Sequence, residues 1–432
     1  MIVGISSGAR AALLGTTALS LLLSPVAGYA QALPSGGTVT HGEATISQSG
    51  SSLLVTQSSH NAILNWNSFS IGGGASAHFD NGSGATLNRV TGNLPSAIDG
   101  TLTATGSLYL VNPAGIAVGT GGMVRTGGSF VASTHDVRDT DFLAGGDMVF
   151  AGTSTAGVVN EGVIASLGGD VVLTARRVEN AGTILAPEGD VGLLAGYEVL
   201  LRDLASDDGR FAVRVGGADT EVVNTGTIAA ANAELRANGG NVYALAGNTQ
   251  GIITATGVKK QGGRIFLTAG NGGSVTATQR MVARPAQQAA SLPQSVPVPQ
   301  ERPASLGGIV RISADRVTLG GEIDVSGDTI PGGTIIAVAK EQLSLTENAR
   351  LDASGADGGL ILLGGDYQGG ADPQNTYWHE AIGTTQTTLV AGGASIVADG
   401  STGAGGNVVV WGDDHTGFAG TISATGVTRG GD

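Results

Sequence analysis

Aromatic and charged residues are scarce in this chain of 432 residues, at 4% and 13% of the sequence. Hydrophobic residues nevertheless make up 41% of the sequence. Because bulky rings need a wide core, this combination predicts a narrow interior filled by Val, Ile, Leu and Ala. The net charge of −14 argues against nucleic acid as a partner, since phosphate backbones are bound by clustered cations. An acidic balance mainly favours solubility outside the cell.

Cysteine is absent altogether, so no disulfide can form. Two explanations stay open. A stray disulfide would block a chain that is threaded unfolded across a periplasm and through a pore. A Gly-, Thr- and Ala-rich repeat could equally lack cysteine through composition alone. Proline is also rare, with 12 residues beside 74 glycines, which excludes a disordered Pro/Gly-rich chain.

No apolar run is long enough to span a bilayer, and the one clear run lies near the N-terminus, at residues 11–23. Arg10 precedes this run, and Ala30-Gln31-Ala32 provides a small-x-small cleavage site, with residues 28–30 as a close alternative. Residues 1–32 are therefore predicted to be a cleaved secretory signal peptide, and an uncleaved anchor is the alternative. The mature chain is expected to begin near Leu33 and to be soluble, without stable membrane insertion.

A short strand, a glycine turn and another short strand recur along the chain at a spacing of about twenty residues, which is typical of a β-solenoid. Asn160, Asn180 and Asn224 each stand two residues before a glycine. From Asn160 to Asn180 is one coil, and the longer interval to Asn224 predicts about two coils. Stacked asparagines predict a hydrogen-bonded ladder along the axis, with a ligand site as the alternative.

The fold predicted from this pattern is all-β: a right-handed parallel β-helix with a β-rich N-terminal cap. The clean repeats occupy residues 151–283 and 305–432, and a Pro/Gln-rich loop at residues 284–304 separates them. A second excursion at residues 366–385 holds Trp378 and His379. No polar cap follows the last repeat, so we expect the sequence to be truncated at its C-terminus.

Five motifs follow one another in the first part of the chain. They are Asn65-Trp66-Asn67-Ser68-Phe69, Leu87-Asn88-Arg89-Val90, Ile98-Asp99-Gly100, Asn112-Pro113-Ala114-Gly115-Ile116 and Gly127-Gly128-Ser129-Phe130-Val131. In this order they resemble the secretion domain of filamentous-haemagglutinin-type exoproteins, the exported members of two-partner secretion systems. The resemblance is specific over residues 33–150, and it persists more loosely to the end.

The resemblance implies a right-handed parallel β-helix that an outer-membrane β-barrel transporter recognises, followed by export through the periplasm and folding outside a Gram-negative cell. It assigns a secretion motif and a set of family-motif residues, which are Asn112, Pro113, Gly115 and Ile116, and Trp66, Asn88, Arg89 and Asp99. Ala114 stands where the family has a second Asn. The secretion motif also has a purely structural explanation, because Pro fixes φ and Asn closes an Asx turn at a corner.

Residues for catalysis are not gathered in any pattern. Asp170 and Asp190 follow glycines and are predicted to be turn residues, while Asp324 and Asp352 fall at similar positions of strands rather than forming a catalytic pair. The cluster at residues 413–415 is predicted to be a solvated turn. The six histidines show no metal spacing, so no metal and no cofactor are expected.

These observations favour a non-enzymatic, adhesin-like exoprotein at the cell surface or in the medium, whose receptor stays open. Three alternatives use the same scaffold. They are the stalk of a contact-dependent toxin, a haem-capturing exoprotein and, as the weakest, a β-helical polysaccharide lyase or glycoside hydrolase.

Overall fold

The computed structural model describes residues 33–206, 209–246, 251–257, 263–284, 307–370 and 383–432. The predicted signal peptide, the Pro/Gln-rich loop from residue 285 onward, and Trp378 with His379 lie outside these residues. Those three predictions therefore remain predictions.

Strands dominate the described residues. In chain order they are β1 Thr38–His41, β2 Ala44–Ser49, β3 Ser52–Gln57, β4 Asn61–Trp66, β5 Ser76–Asp80, β6 Ala85–Val90, β7 Ser96–Ile98, β8 Thr101–Ala104, β9 Ser107–Val111, β10 Ile116–Val118, β11 Met123–Thr126, β12 Phe130–Ser133, β13 Asp136–Val137, β14 Met148–Ala151, β15 Gly157–Asn160, β16 Val163–Ser166, β17 Val171–Ala175, β18 Arg177–Asn180, β19 Thr183–Ala195, β20 Glu198–Ser206, β21 Gly209–Val215, β22 Glu221–Asn224, β23 Thr227–Ala237, β24 Asn241–Ala244, β25 Ile252–Ala255, β26 Arg264–Ala277, β27 Arg280–Ala283, β28 Ile309–Leu319, β29 Glu322–Asp324, β30 Thr334–Leu345, β31 Arg350–Asp352, β32 Leu360–Leu363, β33 Thr387–Val390, β34 Ser395–Val397, β35 Asn407–Val410, β36 His415–Phe418 and β37 Thr421–Ser423. One helix, α1 Asp139–Ala144, and a 3₁₀ turn at Tyr367–Gly370 accompany them.

The main sheet contains 33 of these strands, and parallel pairing winds all of them except β1 and β2 into a β-helix with three faces. Face A begins with β3, β5, β8, β11 and β16. Face B begins with β4, β6, β9, β12 and β17. Face C begins with β7, β10, β15, β18 and β22. Each strand pairs with the equivalent strand of the next coil, so the predicted parallel β-helix is confirmed.

Antiparallel pairing closes the first coil and forms the predicted N-terminal cap. Strand β1 pairs with β4, and β2 pairs with β3, both antiparallel. The burial of β3 alternates residue by residue, because successive side chains of a strand point to opposite sides. The cap lies over Trp66, and a side chain at Gly37 would collide with the Trp66 ring.

The interior is a continuous apolar column. Beyond Phe130 of β12 the described part of the column contains no ring, as the composition predicts. The first coils differ, because Trp66, Phe69 and Phe79 are all buried inside. The ring centroid of Phe69 lies 5.6 Å from that of Trp66 and 6.3 Å from that of Phe79. The expectation that rings do not fit is therefore wrong at the N-terminal end of the column.

A second sheet, which we call the outer sheet, packs on face B. Its order is β13-β14-β20-β21, all antiparallel, so it joins two excursions that are distant in sequence. Beneath it lies a second hydrophobic core, which composition alone did not predict. Its members are Ile63, Leu87, Tyr109, Val111, Val131, Val137, Phe142, Phe150, Val172, Leu194, Val199, Leu201 and Phe211.

The interval between Asn180 and Asn224 is one coil and not two. Strand β18 pairs directly with β22, and Asn180 aligns with Asn224. The additional residues form the β20–β21 hairpin of the outer sheet, which leaves the coil after Ala195 and returns before Glu221. The sequence spacing was misleading because an excursion lengthens a coil without adding a rung.

No helix within the described ranges combines the length and the apolar character that crossing a bilayer requires.

Candidate functional site

The secretion motif forms a tight corner between faces B and C. The Asn112 carbonyl accepts a hydrogen bond from the Gly115 amide at 3.0 Å, with Pro113 at the second position of the turn. The Asn112 side-chain oxygen accepts a bond from the Ala114 amide at 2.9 Å, so the predicted Asx turn is confirmed. Pro113 supplies the fixed φ that this turn position favours.

Asn112 is fully buried, and it joins the corner to the preceding coil. Its amide nitrogen donates to the Leu94 carbonyl at 3.0 Å and to the Ser96 hydroxyl at 2.9 Å. A protein loses stability when a buried polar group is left without a hydrogen-bond partner, so the Asn112 side chain is needed for the fold. Pro113 and Leu94 face outward instead, and Leu94 is 59% exposed.

Gly115 and Ile116 carry the chain from the corner back into the helix. Gly115 has a φ of +114°, a conformation that L side chains rarely adopt. Ile116 is buried and aligns with Ser96 on one side and Val158 on the other. The corner uses the backbone of Ala114 and not its side chain, so loss of the family's second Asn leaves the turn intact.

Trp66 and Asn88 lie inside the β-helix and not on its surface. The Trp66 indole donates to the Asn88 side-chain oxygen at 2.9 Å, and both residues are buried. The Asn88 amide donates to the Tyr109 carbonyl at 3.2 Å. This pair gives the Trp66 ring a polar partner in an otherwise apolar interior, which a buried indole N–H requires.

Arg89 points the opposite way and holds the outer sheet against face B. Its guanidinium contacts Asp136 at 2.7 Å and Asp139 at 2.5 Å, and donates to the Val137 carbonyl at 2.6 Å. Burial lowers the Arg89 pKa, but the hydrogen bonds and charges of the two aspartates outweigh it and raise the pKa. His41 of the cap lies 3.6 Å from Asp139, so cap, coil and outer sheet meet here.

Asp99 directly follows β7, is exposed, and lies one coil below Gly119. A side chain at Gly119 would lie 2.1 Å from the Asp99 carboxylate, so the two coils approach closely here. The eight predicted residues therefore do not form one site. They divide into an exposed corner, an interior pair, an arginine under the outer sheet and a surface carboxylate.

The predicted asparagine ladder is present. Asn160 donates to Asn180 at 2.8 Å, Asn180 to Asn224 at 2.7 Å, and Asn224 to Gln279 at 2.7 Å. All four amides are fully buried in the interior, at the corner that leads from face C to face A. Gln279 was not predicted, because no asparagine-glycine signal marks it.

Asp190 does not lie in a turn, which corrects the sequence prediction. It lies within β19, is 6% exposed, and accepts a hydrogen bond from Asn232 at 2.7 Å. Its backbone amide donates to Asp170 at 2.9 Å, one coil below, and Asp170 is paired with Arg210 at 3.2 Å. Burial, followed by the charge of Asp170, raises the pKa of Asp190 to about 6.

The other polar groups are explained by local bonding. Asp324 and Asp352 align in neighbouring coils, as predicted, and Arg284 holds Asp324 at 2.7 Å. Asp413 accepts bonds from Thr384 at 2.6 Å and Trp411 at 2.7 Å, which lower its pKa. Among the residues with described positions, no three His, Cys, Asp or Glu side chains converge to hold a metal ion.

The geometry defines a class: a capped parallel β-helix with a separate sheet packed on its first coils. The family profile of the TPS (two-partner) secretion domain matches residues 30–278, more than half of the chain, and the chain belongs to this family. Such domains are parts of exported proteins of Gram-negative bacteria, and the family implies an outer-membrane transporter partner; it is not an enzyme family.

Similar proteins are consistent with this family assignment. The secretion domain of HMW1 from Haemophilus influenzae is 27% identical, with a TM-score of 0.66 over 92% of this chain and 93% of that one. A heme/hemopexin-binding protein of H. influenzae strain Rd is 32% identical over 253 residues, which are 56% of this chain and 28% of the relative. A second H. influenzae protein of that name is 35% identical over 104 residues, 11% of its length. The chain thus spans less than a third of these curated relatives.

Proposed function

We propose that the first coils, residues 33–150, form the surface that an outer-membrane β-barrel transporter recognises, and that the rest of the chain is exported through the transporter. The observation that carries this proposal is the Asn112–Ile116 corner. Buried Asn112 fixes its shape, while Pro113 and Leu94 are presented to the outside. A rigid corner with an apolar tip provides a binding surface at low entropic cost.

The proposal includes folding outside the cell, one coil after another. Each new coil buries aliphatic side chains and completes backbone hydrogen bonds on the coil before it, so an emerged segment resists sliding back. The amide ladder adds to this stabilisation, because Asn180 accepts a hydrogen bond from Asn160 in one neighbouring coil and donates one to Asn224 in the other.

Secretion of corner variants tests the recognition step. The chain would be co-expressed with its two-partner transporter, and the exported fraction measured by immunoblotting. We expect Pro113→Ala to lower export at least severalfold while the purified protein keeps its circular dichroism spectrum. Pro331→Ala changes another exposed proline far from the corner and is the matched control. Normal export of the Pro113 variant would contradict recognition at this corner.

Asn112→Ala separates the structural role from the contact role. This variant loses three hydrogen bonds of a buried side chain, so we expect both lower export and a lower melting temperature. If it exports normally despite its lost stability, the corner serves only the fold.

We further propose that the exported protein is a non-enzymatic, adhesin-like surface protein. A second candidate is haem or hemopexin binding, which is favoured by the name of the 32% identical relative. Haem titration followed by visible absorbance, and hemopexin binding on a sensor surface, would decide between them. Saturable binding of either ligand by the purified chain would favour the second candidate, and its absence together with binding to host cells the first.

A further inference from the structure

The outer sheet has two open sides, with β13 at one edge and β21 at the other. In an antiparallel strand, the N–H and C=O of one residue point to the same side, so an edge strand presents unpaired groups to its surroundings. Such an edge is a template on which a strand of another chain can pair. The β-helix has no comparable lateral edge, because each coil is covered by its neighbours.

The β13 edge is covered by charged side chains. The Val137 carbonyl accepts a hydrogen bond from the Arg89 guanidinium at 2.6 Å. The Val137 amide donates to the Asp136 carboxylate at 2.8 Å, and the same carboxylate oxygen accepts from Arg89 at 2.7 Å. Both edge groups of Val137 are therefore occupied, by a cation at the acceptor and an anion at the donor.

The β21 edge is covered in the complementary way. Glu234 reaches up from β23 of the β-helix, and one carboxylate oxygen accepts from the Arg210 amide at 2.6 Å while the other accepts from the Phe211 amide at 3.2 Å. The Glu234 side chain is only 2% exposed, and the Arg236 guanidinium balances its charge at 2.8 Å. Asn238 lies further along the same edge, 3.4 Å from the Val213 carbonyl.

We propose that Arg89 and Glu234 are edge caps, which prevent the outer sheet from adding a strand from a second copy of this chain. The chemistry at each edge is matched, since the cation covers a carbonyl and the anion covers N–H groups. Burying a charged side chain stabilises a protein little compared with apolar packing, so stability alone does not account for Arg89 and Glu234, which are 17% and 2% exposed at the two edges. Charge-assisted hydrogen bonds, by contrast, are strong enough to compete with an incoming backbone.

The excluded partner is the β21 strand of a second molecule. Two antiparallel β21 edges would match each other about a two-fold axis, which is the commonest symmetry of protein dimers. Uncapping β21 is therefore expected to give a dimer rather than an open fibre, and the dimer would place the two outer sheets side by side.

Hydrogen exchange of the wild-type chain gives the first test. The Arg210 and Phe211 amides should exchange at least tenfold more slowly than the amides of exposed turns, because each is bonded to a buried carboxylate. If both exchange as fast as exposed amides, Glu234 does not cap the edge and the proposal is overturned. This result does not depend on the folding of any variant.

Glu234→Ala gives the second test, with mass measured by light scattering after size exclusion from micromolar to near-millimolar concentration. We expect a concentration-dependent dimer and an approximately tenfold or greater loss of protection at Phe211, since one charge-assisted bond is removed. Glu221→Ala removes the same charge from a carboxylate paired with Arg177 on the surface of β22, so it should stay monomeric. A folded, monomeric Glu234→Ala would overturn the proposal. If Glu234→Ala does not fold, Glu234→Gln is the substitute, because glutamine keeps the volume and one of the two acceptor oxygens. If the Arg210 and Phe211 amides both stay protected in Glu234→Gln, that result also counts against the edge cap.

Discussion

Replacing Asp190 by asparagine should make the protein more stable at neutral pH, because it removes a charge from a buried site. Asp190 is 6% exposed and lies one coil above the Asp170 carboxylate, to which its own backbone amide is bonded at 2.9 Å. Asparagine has nearly the same shape, and its oxygen can still accept the 2.7 Å bond from Asn232. The substitution would also remove the repulsion between Asp190 and Asp170.

The size of the effect follows from the pKa. Burial and the Asp170 charge raise the Asp190 pKa from 3.8 to about 6. At about 1.4 kcal/mol per pKa unit, holding Asp190 ionised costs about 3 kcal/mol at neutral pH. Because the folded-state pKa is higher than the unfolded one, the folded state binds the proton more tightly. The contribution of this group to stability therefore falls as pH rises from about 4 to about 6, and is constant above that.

Denaturant unfolding at pH 4 and pH 7.5 measures this directly. We expect Asp190→Asn to raise the free energy of unfolding by up to about 3 kcal/mol at pH 7.5 and to leave it nearly unchanged at pH 4. Asp413→Asn is the control, for which we expect a change in stability of the opposite sign. Hydrogen bonds from Thr384 and Trp411 lower the pKa of Asp413, so removing this carboxylate should destabilise the protein at neutral pH. The reasoning would be refuted if Asp190→Asn destabilised the protein equally at both pH values.

Two further substitutions test the interior and the corner. Asn180→Ala should lower the free energy of unfolding by about 2–5 kcal/mol, because it leaves amide groups of Asn160 and Asn224 buried with fewer partners. Calorimetry measures this loss, and a change below about 1 kcal/mol would show that the ladder is dispensable. Gly115→Ala should cost about 1–3 kcal/mol through its φ of +114° and not through a clash, since the nearest atom lies 3.4 Å from the new methyl group. Gly73→Ala, with nothing within 4 Å and no positive φ, should be close to neutral, and equal melting temperatures for these two variants would contradict the conformational explanation.

Local patterns predicted the coil correctly, because its determinants are local. The residues that follow the repeated glycines alternate between interior and surface, and Asn160 and Asn180 stand at equivalent corners. The corner at Asn112 was also predictable, since an Asx turn with proline at its second position involves only neighbouring residues. The same holds for the aspartates of β29 and β31, which align because the repeat aligns them.

The outer sheet was not predictable from the same patterns. Strands β14 and β20 are distant in the chain, and each is short enough to belong to a coil. Phe150 and Phe211 were the available signal, because large rings are rare here and both lie in segments that interrupt the repeat. Asp190 was misjudged for a related reason. A glycine before an aspartate usually indicates a turn, but here the strand continues through Asp190, and Asn232 of the next coil bonds its buried carboxylate.

The long coil between Ala195 and Glu221 has a consequence for protein engineering. In the coil below, a single residue, Arg176, joins the two strands at the same corner. The register of both flanking strands nevertheless continues unbroken on either side of the long excursion. A foreign peptide could therefore be inserted after Arg176, since surface junctions with nearby ends tolerate added length at small entropic cost. Arg176 itself should be kept, because its guanidinium donates to the Thr155 and Asp219 carbonyls of the neighbouring coils. The rod would then serve as a display scaffold, with cargo projecting sideways at a defined height.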